Sequence, residues 1–213
     1  MSVIHQLQSY CPYSISRQKL GLWSVMLNAL PNTPPEFGAW IDGLVFDDTR
    51  SVCTEPSEAP RWEVSLRGVK FLVEPRVLTW TTDVLPVLEE PWVEIGLIFA
   101  FQGTSTNTLS GFHPRSLPVL EQLAITTHRL LQTKEIFLSS RAGLPSWVAQ
   151  QCGHEKQLWD FDVAVVSDDS TLLQRSVPWS IENKGMEGFR VLRSKWVSFD
   201  LRKGLRADST AQS

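Results

Sequence analysis

Apolar residues recur at three- and four-residue intervals over 15–31, the first segment with a clear period. On a helix with 3.6 residues per turn they share one face: Ile15, Leu20, Trp23, Met26, Leu27 and Leu30. Ser14 or Ser16 can cap the start of this helix, and Pro31 closes the segment. The pattern predicts an amphipathic helix that packs one face on the core.

Three later segments also predict helices. Segment 33–44 carries prolines in its first turn, where a missing N–H costs nothing. Segment 117–135 has a leucine-rich stripe, with Ser116 as a candidate cap. Segment 143–153 predicts a helix of one or two turns between glycines.

Strand patterns fill most of the remainder. Segment 61–68 alternates apolar and polar residues, as a half-buried strand does. Segment 69–83 continues as one or two strands, bent or ended at Pro75. Segment 92–103 is apolar on both faces, which predicts a central strand. Four more strands are predicted, in 135–140, 159–169, 176–184 and 189–202.

The order of these elements is helices, strands, one long helix and then strands. This order predicts an α+β fold, a mainly antiparallel sheet with the N-terminal helices and one long central helix packed on it. We expect one globular domain over 1–204 and a disordered polar tail over 205–213. The polar segments 47–60 and 103–116 are predicted loops, and loops of this length are often functional.

Charge and cysteine usage narrow the class of protein. The 213-residue chain has a formal net charge of -3 and no basic block, so we do not expect nucleic acid as a partner. Its three scattered cysteines predict free thiols in a reducing compartment. The N-terminus lacks the pattern of a signal peptide, and the longest apolar run, 93–101, is too short to span a bilayer. We therefore expect a soluble cytoplasmic protein that does not bind membranes.

Cys152 and His154 are the first candidates for chemistry. A tetrahedral zinc site there needs further ligands from Cys11, Cys53 or His113, which are distant in sequence. An imidazolium near Cys152 can activate the thiol as a nucleophile, but adjacent loop positions rarely give that geometry. The favoured interpretation is a loop that ends the 143–153 helix.

Acidic residues in two predicted strands suggest a different site. Asp160 and Asp162 begin an apolar strand, and Glu182 and Lys184 follow in the next. Two carboxylates hold a divalent cation and a lysine positions the attacking water in metal-dependent nucleases. Over 160–184 the pattern resembles that of the PD-(D/E)xK nuclease family. The resemblance implies a magnesium-dependent phosphodiesterase that uses these four residues.

A plain hairpin explains the same residues. Asp168, Asp169 and Ser170 are ordinary turn residues between two strands. Strand alternation places Ile181 on one side and Glu182 and Lys184 together on the other, with Val177 and Trp179 on the side of Ile181. Pro178 disfavours a central strand at this position. The hairpin is the favoured interpretation, and no catalytic residue is assigned.

The nine tryptophans suggest binding instead of catalysis. Trp92, Trp147 and Trp159 lie beside polar or proline-containing breaks, and tryptophan is enriched at binding hot spots. We therefore predict a non-enzymatic cytosolic protein that binds another protein, as inhibitors, immunity proteins and viral accessory proteins do. No metal or cofactor is predicted, except magnesium if the phosphodiesterase alternative holds.

Overall fold

The computed structural model describes residues 4–56, 58–101, 116–140, 146–155, 157–178 and 180–195. Its helices are α1 Tyr13–Asn28, α2 Pro35–Asp42, α3 Ser116–Leu131 and α4 Ser146–Gln151. Its strands are β1 Ile4–Pro12, β2 Val45–Asp47, β3 Val52–Thr54, β4 Trp62–Leu66, β5 Val69–Trp80, β6 Trp92–Phe101, β7 Glu135–Ser139, β8 Val163–Ser167, β9 Ile181–Met186 and β10 Phe189–Ser194.

Eight strands form one sheet in the order β4-β5-β6-β1-β7-β8-β10-β9. Every pairing in it is antiparallel, and β2 pairs only with β3. The predicted α+β class and mainly antiparallel sheet are therefore confirmed. The helices α1 and α3 are both 16 residues long, so the structure does not single out one long central helix. No helix in the described ranges is long and apolar enough to cross a membrane.

The sheet carries a separate core on each face. Ile136 and Leu138 point into the first core, together with apolar residues of α1, α2 and α3. The alternate residue of β7, Phe137, points into the second core, where Trp147 and Val148 of α4 pack. Three helices thus cover one face, while α4 covers part of the other.

Strand β1 has no counterpart among the predicted elements, although it lies in the middle of the sheet. It pairs with β6 from Ile4↔Ala100 to Pro12↔Trp92 and with β7 on its other edge. The sequence of β1 shows no clear apolar period, because some of its buried positions hold polar residues that form hydrogen bonds inside the protein. The Gln8 amide donates to Glu94 over 2.9 Å, and the Ser9 hydroxyl donates to Thr133 over 2.9 Å.

Pro75 does not interrupt β5, which runs unbroken through it. The backbone nitrogens of Pro75 and Val77 point to the same edge because they are two residues apart. The Val77 N–H is bonded there by the Glu55 carboxylate over 2.7 Å and not by a neighbouring strand. The β4 ladder has already ended at Trp62↔Val73, so the proline removes no ladder hydrogen bond.

Part of the predicted loop 47–60 is instead ordered as the hairpin β2–β3. Asp48 in its turn accepts hydrogen bonds from the Tyr13 hydroxyl over 3.0 Å and from the Arg17 guanidinium over 2.9 Å. The Arg17 guanidinium also lies 4.7 Å from the ring centre of Phe46. These contacts fasten the hairpin to α1. The predicted loop 103–116, apart from Ser116, and the predicted tail 205–213 lie outside the described residues.

Candidate functional site: an aromatic cleft

A cleft of about 460 Å³ opens where the end of β1, the starts of β6 and β7, and α4 meet. Its walls combine aromatic, basic and acidic side chains, including Tyr10, Trp92, Trp147, Lys19, Lys134 and Glu135. We refer to this site as the aromatic cleft. Concave sites with an apolar lining and a few convergent polar groups are the usual form of binding sites.

Three packed rings, those of Tyr10, Trp147 and Trp92, form the apolar wall of the aromatic cleft. Tyr10 and Trp147 are nearly parallel, with ring centroids 4.4 Å apart and an interplanar angle of 8°. Trp92 packs on Trp147 at 5.2 Å and 43°. Tyr10 and Trp147 are 4% and 2% exposed, whereas Trp92 is partly exposed. Trp92 is therefore the ring most available to a ligand, and the other two support it.

Strand register explains why these rings meet. Tyr10 of β1 lies opposite Glu94 of β6, so both side chains point to the second face. Trp92 is two residues from Glu94 and points to that face as well. Trp147 reaches the same place from the first turn of α4. Burial raises the pKa of Tyr10 well above its ordinary value, and the nearby Glu94 carboxylate raises it further.

Glu135, the first residue of β7, is the buried acid of the aromatic cleft, with 7% exposure. Its Oε1 accepts hydrogen bonds from the Ser170 hydroxyl over 2.5 Å and from the Gln150 amide over 3.3 Å. Burial raises the pKa of Glu135 above its ordinary value, and these hydrogen bonds oppose part of that rise. A buried carboxyl with a shifted pKa in a cleft marks a functional site more often than a surface acid does.

The raised pKa of Glu135 predicts how Glu135→Gln changes the pH dependence of stability. The native state binds the proton of the Glu135 carboxyl more tightly than the unfolded state does. Protonation therefore favours the native state below the ordinary glutamate pKa. That contribution is lost as pH rises through the raised pKa of the native state. Glutamine cannot titrate, so the variant's free energy of unfolding should rise relative to that of the wild type over the same interval. Urea denaturation at a series of pH values measures this difference, and parallel pH profiles would contradict the prediction.

The rim of the aromatic cleft is basic and partly apolar. Lys19 donates from its ammonium group to the Leu131 carbonyl. Lys134 faces Asp169 at 3.8 Å with both side chains well exposed, an arrangement that contributes little stability. Ile15 on the same rim is 41% exposed. The cleft therefore presents an aromatic wall, two cations and a buried carboxyl to an incoming group.

Two of the three tryptophans predicted to bind a partner line the aromatic cleft together. Trp92 and Trp147 are in contact there, whereas Trp159 packs near Phe161 with ring centroids 6.1 Å apart and is not among the lining residues. Trp147 is almost fully buried, so its part in the cleft is to support Trp92. Whether these residues bind a partner stays a prediction.

The predicted acidic set is divided: Asp160 and Asp162 precede β8, whereas Glu182 and Lys184 lie on β9, which is not its neighbour. Asp162 is 2% exposed, and its Oδ2 accepts hydrogen bonds from the backbone N–H of Ser140 over 2.6 Å and from its hydroxyl over 2.8 Å. Its own backbone bonds Leu138 and Ser194. This carboxylate thus fastens the end of β7 beside β8. Asp160 precedes the strand and donates its N–H to the Gln157 carbonyl over 3.1 Å.

Glu182 and Lys184 lie on β9, with the whole of β10 between them and β8. They share one side of β9, opposite Arg193 and Val191, as the alternation predicts. Pro178 precedes the strand and does not interrupt it. Neighbouring strands of a sheet lie about 4.8 Å apart. Because β10 lies between them, β8 and β9 are separated by about twice that distance. Across the ranges that the structure describes, no three His, Cys, Asp or Glu side chains form a group that could hold a metal ion.

Cys152 and His154 lie at the end of α4, as the helix-ending interpretation predicts. The N–H of Cys152 bonds the Val148 carbonyl over 3.0 Å, and that of His154 bonds the Ala149 carbonyl over 2.8 Å. Gly153 between them has a φ of 69°, which ends the helix. His113, a further candidate zinc ligand, lies outside the described residues. Two of the nine tryptophans, Trp179 and Trp196, also lie outside them.

The three thiols differ in accessibility. Burial raises the pKa of Cys11 to about 12 and that of Cys53 to about 11, whereas Cys152 is partly exposed. Because thiolates react and buried thiols do not, iodoacetamide should label Cys152 first in the native protein. Mass spectrometry of the labelled peptides tests this, and labelling of Cys11 before unfolding would contradict the packing of β1.

Sequence reasoning missed Tyr10, Lys19 and Glu135. Tyr10 belongs to the strand that escaped detection, and Lys19 lies on the polar side of a correctly predicted helix. Glu135 stands at a strand start, where a charged residue carries no particular signal. The aromatic cleft combines segments far apart in the chain, so no local spacing identifies it.

Comparison with protein-family models, with curated proteins and with solved structures gives no match for this chain.

Proposed function

We propose that the chain is a protein-binding protein and that the aromatic cleft receives a side chain of its partner. The observation that carries this proposal is the partly exposed Trp92, held against the buried Trp147 at the mouth of a cleft of about 460 Å³. Interface hot spots are typically large aromatic residues fixed by packing beside a pocket. A preordered ring loses little conformational entropy on binding.

The lining indicates the partner's chemistry. An apolar or aromatic side chain fits against Trp92, and the volume is within the range of roughly 300–1,000 Å³ of ligand pockets. Acidic residues beside that side chain would meet Lys19 and Lys134 on the rim. Such charges increase the rate and specificity of association more than its affinity.

We place this activity in the cytoplasm and in the class of inhibitors, immunity proteins and viral accessory proteins. All three cysteines are free, which fits a reducing compartment. The mildly acidic balance suits a protein partner. The identity of the partner decides among these three kinds of binding protein.

Affinity purification from the organism that carries the chain tests the proposal. We expect a partner that co-purifies in fixed stoichiometry and survives size-exclusion chromatography with light scattering. A monomer without a partner, combined with magnesium-dependent cleavage of DNA that Glu182→Gln abolishes, would replace the proposal with the phosphodiesterase alternative. Lys70→Gln is the control variant, because Lys70 pairs with Glu63 on the opposite edge of the sheet.

A further inference from the structure

The outer face of β5, β6 and β1 is the part of the sheet that the second core leaves uncovered. That core reaches only Tyr10 on β1, Trp80 at the end of β5 and Trp92 at the start of β6. Along the middle of these strands the outward side chains are only partly buried: Gln6, Leu72, Glu74, Arg76, Leu78 and Ile98. We call this set the outer face.

Arg76 stands at the centre of the outer face. Within the described ranges its guanidinium makes no hydrogen bond and no ion pair. In register it lies beside Gly96 and then Gln8 across the neighbouring strands. A Cβ on Gly96 would meet the Leu7 carbonyl at 2.9 Å, so glycine is required here, and it leaves no side chain between Arg76 and Gln8.

Three carboxylates near Arg76, those of Glu55, Glu74 and Glu94, already have other partners. Glu74 pairs with Arg61 over 2.5 Å, and Glu55 accepts the Val77 N–H. Glu94, 1% exposed, accepts hydrogen bonds from Gln8 over 2.9 Å and from the Trp80 indole over 3.1 Å. Each of these three acids thus bonds a group other than the Arg76 guanidinium.

The space in front of Arg76 is concave and partly apolar. A cavity of about 590 Å³ lies there. Its lining residues are Arg76, Leu78 and Ile98, together with Glu55, Glu58, Ala59, Arg61, Glu74, Pro75 and Val77. When a partner covers a guanidinium that has apolar neighbours, water is excluded from it. Charge-assisted hydrogen bonds are stronger where water is excluded. The planar guanidinium donates two parallel hydrogen bonds to a carboxylate.

We propose that the outer face is a second interaction surface, on which a partner protein inserts one carboxylate against Arg76 and packs apolar side chains on Leu78 and Ile98. Arg76, which has no acceptor in the part of the chain that the structure describes, suits a single carboxylate. The surrounding negative charges of Glu74 and Glu94 disfavour a polyanion such as nucleic acid. The proposal does not depend on the aromatic cleft, because the two surfaces share no residue.

A photo-crosslinking amino acid at Ile98 tests the surface in cells that carry the chain. The crosslinked partner peptide should contain an aspartate or glutamate. With the purified pair, Arg76→Glu should abolish binding at this surface, and reversing the partner's acid to arginine should restore it. Arg50→Glu is the matched control, because Arg50 is 82% exposed and lies in the β2–β3 turn.

Three results would overturn this proposal. They are a lack of crosslinking at Ile98, a crosslinked peptide without an acid, and equal binding by Arg76→Glu and Arg50→Glu. A thermal melt of each variant establishes that loss of binding is not loss of folding. Crosslinking from a probe beside Trp92 but not from Ile98 would reject the outer face and keep the aromatic cleft.

Discussion

Replacing Trp92 with alanine should weaken binding of the partner roughly 30-fold or more, which corresponds to about 2 kcal/mol. The indole is partly exposed and rests on Trp147 with centroids 5.2 Å apart. Removing it deletes the accessible aromatic surface and leaves the buried rings in place. Isothermal titration calorimetry with the purified partner measures the loss, which should arise mainly from faster dissociation.

The matched control for Trp92→Ala is Val25→Ala. Val25 is 68% exposed on α1 and lies outside the aromatic cleft. The Val25→Ala substitution should leave the affinity for the partner unchanged, and both variants should keep the wild-type circular dichroism spectrum. A folded Trp92→Ala variant with the affinity of Val25→Ala would show that the cleft does not bind the partner.

Trp147→Ala should lower the free energy of unfolding by about 3–5 kcal/mol. Its side chain is 2% exposed and makes contacts with both Tyr10 and Trp92. Its removal leaves a cavity between α4 and the sheet, where the second core is built. Urea denaturation followed by circular dichroism measures the change as a lower midpoint with an unaltered slope.

Trp159→Ala provides the comparison within the same residue type. Trp159 is partly exposed and has an aromatic neighbour, Phe161, at 6.1 Å. Its truncation removes less buried surface, so the loss of stability should be clearly smaller. Equal losses from the two substitutions would contradict the assignment of Trp147 as the buried support of the cleft.

Elements with an uninterrupted apolar period were predictable from the sequence. The stripe from Leu20 to Leu27 predicts α1, and the two-sided apolar run after Trp92 predicts the central position of β6. In both, most of the apolar positions are buried. Local pattern therefore carried enough information without knowledge of the partners.

Strand β1 shows where that information ends. Three polar residues of β1 are buried, namely His5, Gln8 and Ser9. A pattern of apolar and polar residues alone predicts that such positions are exposed to solvent. For Gln8 and Ser9 the bonding partners are Glu94 and Thr133, which are distant in sequence. Tertiary hydrogen bonds thus override the local signal. The loss of β1 from the prediction also removed Tyr10, and with it the wall of the aromatic cleft.

The acidic residues show the converse limit. The alternation of side chains along a strand correctly predicted that Glu182 and Lys184 share a side of β9. The proposed acidic site also required the strand after Asp162 to lie next to β9, but β10 pairs with both β8 and β9 and separates them. Strand order is a non-local property, because β10, which follows both β8 and β9 in the chain, inserts between them.

Hydrogen–deuterium exchange of the chain with and without its purified partner tests directly whether the aromatic cleft binds that partner. We expect binding to slow exchange in peptides that contain the end of β1, the start of β6, the start of β7 and α4, the four segments that meet at the aromatic cleft. Protection confined to other segments, with these four unchanged, would contradict it.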